Sequence, residues 1–190
     1  NNFSGLFSKN IQEVWVEVGF GSGEHLKWQL DNNKDIAIIG CEPYINGVAN
    51  LLSILDQEDL KRVKIFSGDA RKVISALKKE SITKIFILFP DPWPKKKHHK
   101  RRLIQSDTIA HIYRILRYDG ELRIATDHIS YLSWILFQFM KFKKFYWNAR
   151  SKSDFLFKPE NWDKSKYERR ADRLGNVSYF LQYYKRNKKN

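Results

Sequence analysis

Short apolar runs alternate along this chain with stretches whose apolar residues recur every three to four positions. Val14-Trp15-Val16-Glu17-Val18 predicts a strand, Gly19-Phe20-Gly21-Ser22-Gly23 a tight turn, and residues 24–30 a helix with Leu26 and Leu30 four apart. The pattern repeats. A second strand, Ile36-Ala37-Ile38-Ile39-Gly40-Cys41-Glu42, leads to a helix with Tyr44, Val48, Leu51, Leu52 and Leu55 on one face. Val63-Lys64-Ile65-Phe66 predicts a third strand, followed by Ser67-Gly68-Asp69-Ala70 and a helix to about residue 79. Lys84-Ile85-Phe86-Ile87-Leu88-Phe89 reads as a fourth strand, buried on both faces because it does not alternate. Ser106 is placed to cap a helix that turns Ile109, Ile112, Tyr113 and Leu116 inward.

Tyr118-Asp119-Gly120 turns into a fifth strand, Glu121-Leu122-Arg123-Ile124-Ala125-Thr126, which ends at Asp127. The next helix presents Ile129, Leu132, Ile135, Leu136, Phe139 and Met140. Residues 145–149 predict a sixth strand, residues 151–176 a polar excursion, and residues 177–184 a closing strand. Regular alternation of strand and helix over residues 1–190 implies a single α/β domain with a mainly parallel sheet.

One junction departs from this rhythm. After the fourth strand come Pro90, Pro92 and Pro94, which fix φ and remove backbone donors, and Asp91 is held among them. In an open α/β sheet the carboxyl ends of the strands face the ligand crevice, so Asp91 lies over it. Lys95-Lys96-Lys97-His98-His99-Lys100-Arg101-Arg102 then follows without interruption. A framed acid beside a basic arm points to chemistry on a nucleic acid.

Bulk composition narrows the classes. With 42% hydrophobic and 15% aromatic residues the chain can bury a core. A net charge of +14 calls for an anionic partner, a nucleic acid or an acidic membrane surface. No run of 18 apolar residues occurs, so no membrane span is expected. Cys41 is the only cysteine, which excludes an intrachain disulfide and suggests a buried inert thiol in a reducing, cytoplasmic setting. No His, Cys or carboxylate spacing suggests a metal site. The start at Asn1, without Met, suggests a piece of a longer or fused polypeptide. The sequence leaves both monomer and homodimer open.

The charges around the glycine turn select its ligand. Glu17, just before Gly19, opposes a pyrophosphate and favours a ligand carrying an ammonium or sulfonium cation. Glu42 is placed to accept ribose hydroxyls, and Asp69 an adenine amino group. Acids at three successive strand ends outline S-adenosylmethionine.

Glu17-Val18-Gly19-Phe20-Gly21-Ser22-Gly23, Gly40-Cys41-Glu42, Gly68-Asp69-Ala70 and above all the Pro90-to-Arg102 stretch resemble the bacterial tRNA (guanine-N7-)-methyltransferases. Thr126-Asp127 and Ser165-Lys166-Tyr167-Glu168-Arg169-Arg170 resemble that family's later motifs, with Ser and Tyr where it usually has Thr and Phe at positions 165 and 167. The resemblance spans residues 14–184 and implies a Rossmann-like class I methyltransferase with a seven-stranded sheet. It implies S-adenosylmethionine contacts from Glu17, Gly19, Gly21, Gly23, Glu42, Asp69 and Asp91, with Asp91 the catalytic-site acid. It implies tRNA contacts from Lys95, Asp127, Ser165, Lys166, Tyr167 and Glu168.

Two other readings stay in view. Pro90-Asp91-Pro92-Trp93 resembles the Asp-Pro-Pro-Tyr type of motif of adenine-N6 methyltransferases, but the single proline after the acid and the basic run argue against it. A non-catalytic RNA-binding module on a decayed fold is opposed by the intact acids at the strand ends.

Overall fold

In the computed structural model, which describes residues 3, 5–7, 10–159, 162 and 166–186, the alternation resolves into strand–helix units. The first half runs β1 (Glu13–Val18), α1 (Glu24–Asn32), β2 (Ile36–Cys41), α2 (Ile45–Ile54), α3 (Gln57–Arg62), β3 (Val63–Phe66) and α4 (Ala70–Ala76). The second half opens with β4 (Ile82–Leu88), a 3₁₀ turn (Lys96–Arg101), α5 (Ser106–Ile115), β5 (Leu116–Thr126) and α6 (Ile129–Lys141). It closes with β6 (Phe145–Trp147), α7 (Ser153–Leu156), α8 (Lys166–Arg173) and β7 (Tyr179–Lys185).

The strands form one seven-stranded sheet in the order β3-β2-β1-β4-β5-β7-β6. Every neighbouring pair from β3 to β5 is parallel, and β7 is antiparallel to both β5 and β6. The chain therefore winds outward from β1 to β3, then crosses to β4 on the other side of β1. That reversal opens a crevice between the carboxyl ends of β1 and β4, where an open α/β sheet takes its ligand.

Alternate residues of β4 feed two cores. Ile85 and Ile87 join Ile109, Ile112, Ile115 and Ile135 on one face, while Phe86 and Leu88 join Leu26, Leu30, Leu51 and Trp162 on the other. All of β2 and the last four residues of β4 are buried, the expected state of parallel strands covered on both sides.

Five local expectations change. Asp56 and Asp59 form a reciprocal capping box that starts α3, an unanticipated helix, with Asp59 N donating to Asp56 Oδ1 at 2.8 Å. Gln105, rather than Ser106, precedes α5, because the Ser106 hydroxyl donates to Gln138 Oε1 of α6 at 2.9 Å. β5 begins at Leu116, so Asp119 lies within a strand at φ +61° and no turn precedes it. The expected inward faces of α2 and α6 are narrower than their periodicity suggests: Tyr44, Leu52, Ile129 and Met140 are all exposed. The polar excursion folds in part, carrying α7 and α8.

Cys41 is buried at the end of β2, and burial, with the Asp69 charge nearby, pushes its thiol up to about 12. Only the thiolate is nucleophilic, so below that pH the group is inert. At pH 8 a disulfide reagent such as Ellman's should label native protein at least about a hundredfold more slowly than unfolded protein. Comparable rates in the two states would place the thiol at the surface.

Candidate active site

A cavity of about 370 Å³ opens at the carboxyl ends of β1 to β4, and Gly19, Glu42, Asp69, Asp91 and Tyr167 all line it. Of the glycine turn, Gly19 lines it. Gly19 N donates to the Cys41 carbonyl at 2.7 Å, which ties the turn to β2. Gly21 stands at φ +58°, where an L side chain is strained, and a Cβ there would meet the Tyr167 ring at 2.8 Å. The backbone angle favours glycine at 21, and any larger residue would also make the Tyr167 ring shift.

Glu42 is buried, and its carboxylate is fixed by two backbone donors, Gly21 N at 2.9 Å and Tyr44 N at 3.0 Å. Each oxygen keeps a lone pair for a further donor. Asp69 caps α4 through Arg71 N at 3.0 Å and also accepts both arms of the Arg71 guanidinium. The Arg71 side-chain bonds hold its carboxyl below the usual range. Helix cap and cavity wall are thus one residue. Tyr167, from α8, reaches the same cavity; burial, then the Glu42 and Asp91 charges, raises its phenol. It therefore stays a hydroxyl donor at neutral pH.

Asp91 stands exposed at the rim. Phe89 at φ +52° and Trp93 at φ +41° bracket it, both in the left-handed region that bulky residues avoid. Such strain, of order 1–3 kcal/mol each, persists only where surroundings impose it. Phe89 N is held by the Ala125 carbonyl of β5 at 2.8 Å. On the other side, Arg102 Nε donates to the Pro92 carbonyl at 2.8 Å and its Nη2 donates to Ser130 Oγ at 3.3 Å. The Arg102 guanidinium lies over the Tyr131 and Trp134 rings of α6, at 5.0 and 5.2 Å.

The basic arm is therefore not uniform. Lys95, Lys96, Lys97 and Lys100 are exposed, whereas Arg102 is 1% exposed and belongs to the interior. Arg101 lies over Trp93 at 4.9 Å, and both line the cavity. The His98 ring meets Trp93 edge-on and the His99 ring meets Trp134, so the histidines pack against aromatics.

Other expected site residues lie elsewhere. Glu17 is buried behind the glycine turn: Gln29 Nε2 donates to His25 Nε2 at 3.1 Å, and His25 Nδ1 donates to Glu17 Oε2 at 2.9 Å. It is not among the cavity-lining residues, nor are Gly21 and Gly23, which shape the turn's backbone. Asp127 accepts from Asn176 Nδ2 at 2.9 Å at the end of β5. Glu168 is buried beside Lys158, 3.5 Å away, and Lys166 is exposed. Ser165 lies outside the described residues. Sequence reading missed Arg71, Trp93 and Arg101 as cavity residues; the position of Arg71 two residues after an acid at a helix start was the available signal. Among the described residues no acid, histidine or cysteine cluster could hold a metal, and no helix is long and apolar enough to cross a membrane.

Residues 11–181 match the family model described as "Putative methyltransferase". The tRNA (guanine-N(7)-)-methyltransferase of Jannaschia sp. (strain CCS1) is 41% identical over 92% of this chain and 73% of its own length. That of Rhodospirillum rubrum is 35% identical over 96% of this chain and 71% of its length. The chain belongs to the bacterial tRNA (guanine-N7-)-methyltransferase family. Solved structures confirm the fold class: an rRNA methylase from Streptococcus thermophilus superposes with a TM-score of 0.62 at 12% identity, over 94% of this chain and 89% of its own. A SAM-dependent O-methyltransferase from Thermotoga maritima gives 0.60 at 15% identity, over 95% of this chain and 62% of its own.

The family and fold are those of S-adenosylmethionine-dependent methyltransferases, and the cavity fits that molecule. Its walls offer carboxylates from Glu42, Asp69 and Asp91 to a ligand that carries positive charge and several hydroxyl and amino donors.

The Arg102 clamp makes a test possible. Arg102→Lys keeps the charge but loses the planar fork and the stacking on two rings. The fold should survive, while the single-turnover methylation rate at saturating cofactor and tRNA falls by about tenfold or more, since small misplacements cost this much. An unchanged rate together with a weakened tRNA KM would make Arg102 an RNA contact instead of a clamp.

Proposed function

We propose that this chain, acting as one catalytic domain, methylates N7 of guanine in tRNA with S-adenosylmethionine as donor, forming 7-methylguanosine. The observation that carries this reading is the juxtaposition at Asp91: an adenosyl-sized, acid-lined cavity on one side and, on the same loop, a row of exposed lysines. A tRNA substrate implies residence in the cytoplasm.

Glu42 would hold the ribose hydroxyls, because its two oxygens are aimed by Gly21 N and Tyr44 N. Asp69 would serve the adenine edge while remaining bound to Arg71. Glu17 would act indirectly, by charge and through His25, from behind the turn. When bound, S-adenosylmethionine supplies an electrophilic methyl group on a sulfonium, and its transfer moves positive charge onto the guanine imidazole ring.

Guanine N7 carries a lone pair and no proton, so the protein needs no general base. Its work is alignment and electrostatics. Asp91, framed by two strained residues, is a fixed carboxylate at the rim where that charge would develop. Guanine's N1–H and N2 amino group form a two-donor edge that a carboxylate accepts and adenine lacks. Asp127, positioned by Asn176, is a further acid at this end of the sheet. The exposed lysines of the arm would neutralise phosphates.

Nucleoside mass spectrometry of tRNA treated with labelled cofactor tests the assignment: label in 7-methylguanosine supports it, and label only in N6-methyladenosine overturns it. Asp91→Asn should lower the single-turnover rate by roughly tenfold or more, about 1.4 kcal/mol per decade, with RNA affinity retained. The rate should stay flat between about pH 6 and pH 9, since no group must lose a proton. A steep rise with pH would instead require a base. If about six phosphates are contacted, tRNA affinity should fall roughly 10³-fold between 50 and 200 mM salt. Replacing Lys95, Lys96, Lys97 and Lys100 with Ala should flatten that slope; an unaltered slope would turn the arm away from the RNA.

A further inference from the structure

A second concavity, of about 530 Å³, lies at the far edge of the sheet, where Trp147, Asn148, Arg150, Phe157 and Gln182 are among its walls. Its origin is the short sixth strand. Trp147 pairs with Tyr183, which pairs with Leu122, so β6 ends level with Leu122 while β5 runs on to Thr126. The notch left beside β7 is bounded by residues 148–159. Both β5 and β6 are antiparallel to β7, so the end of β6 points toward the same end of the sheet as Asp91 and Asp127.

The walls combine aromatic faces, amides, the Arg150 cation and the Asp154 carboxylate. Trp147 is held by Phe155 at 5.8 Å and Tyr183 at 6.1 Å, while Phe157 is 72% exposed. Asp154 accepts from Arg150 N at 2.7 Å and Ser151 N at 2.8 Å, which shapes the rim. Residues 148–159 carry Arg150, Lys152 and Lys158 against the single acid Asp154. Stacking on aromatic side chains with a flanking cation is how unpaired bases are held. β6 lies three strand spacings, about 14 Å, from β4, whose end carries Asp91. That offset is too large for the base in the cavity and is reached by a neighbour on the same strand whose base is splayed away from it.

We propose that this groove seats an unpaired nucleotide adjacent to the target guanine, its base against Phe157 and its phosphate near Arg150. The inference rests on the tRNA reading above. Holding the neighbour there, out of stack with the target, adds binding energy for the tRNA and leaves the alignment of guanine N7 to the cavity residues.

The test uses Phe157→Ala and Arg150→Ala, both at exposed positions, assayed on tRNA beside the wild type. Loss of one stacked base corresponds to roughly 5- to 150-fold in affinity, so KM for tRNA should rise by about tenfold while kcat and cofactor affinity stay unchanged. In parallel, 4-thiouridine placed beside the target guanine should photo-crosslink to residues 147–157 of wild-type protein. Wild-type tRNA KM in both variants, or crosslinks confined to other segments, overturns the groove. Failure of the wild type to methylate guanine N7 overturns the functional reading instead, and the crosslink position then reads the groove independently.

Discussion

The Arg102 guanidinium ties the loop after β4 to α6, and the placement of Asp91 depends on it. A loop with Pro90, Pro92 and Pro94 has few backbone N–H groups to hold it to anything. Its carbonyls remain, and one of them accepts from Arg102. Burying a guanidinium is costly unless its donors are met, and here a carbonyl, a hydroxyl and two aromatic faces meet them. The strained backbone at Phe89 and Trp93 is held between this clamp and the Phe89 bond to β5.

A second constraint comes from sheet polarity. Because β1 to β5 run the same way, the residues that leave each strand share one end of the sheet. The switch in winding at β1 leaves that end uncovered between α1 and the loop after β4. Tyr167 then packs over Gly21 from more than a hundred residues away, closing one side of the cavity with a segment outside the basic alternation. The cavity is therefore built jointly by the ends of β1 to β4 and the polar excursion.

Charge is sorted by burial. The excess of +14 is displayed by side chains such as Lys95, Lys96, Lys97 and Lys100, while Arg102 and Arg62 are turned inward to satisfy carbonyls. The acids are sorted too. Glu42, Asp69 and Asp91 face the cavity, whereas Glu17 and Glu121 are enclosed with their own partners. Cations thus dominate the outer surface of the arm, and carboxylates line the cavity.

The sequence by itself determined the alternation of strand and helix, the glycine turn, the proline-framed acid and the exposed basic row. These are local matters, decided by side-chain period, by φ restrictions of Gly and Pro, and by repulsion among like charges. It also carried the family resemblance, through Glu42, Asp69 and the Asp91 loop. Tertiary structure alone decided that Glu17 faces His25 instead of the cavity, and that Arg102 points inward while adjacent Arg101 stays out. It decided that α2 and α6 leave Tyr44 and Met140 in solvent, and that β6 stops short and opens a groove. Each of these turns on contacts between elements distant in the chain, such as Arg102 with Tyr131 and Trp134. The direction of one side chain is set by neighbours that no local pattern specifies.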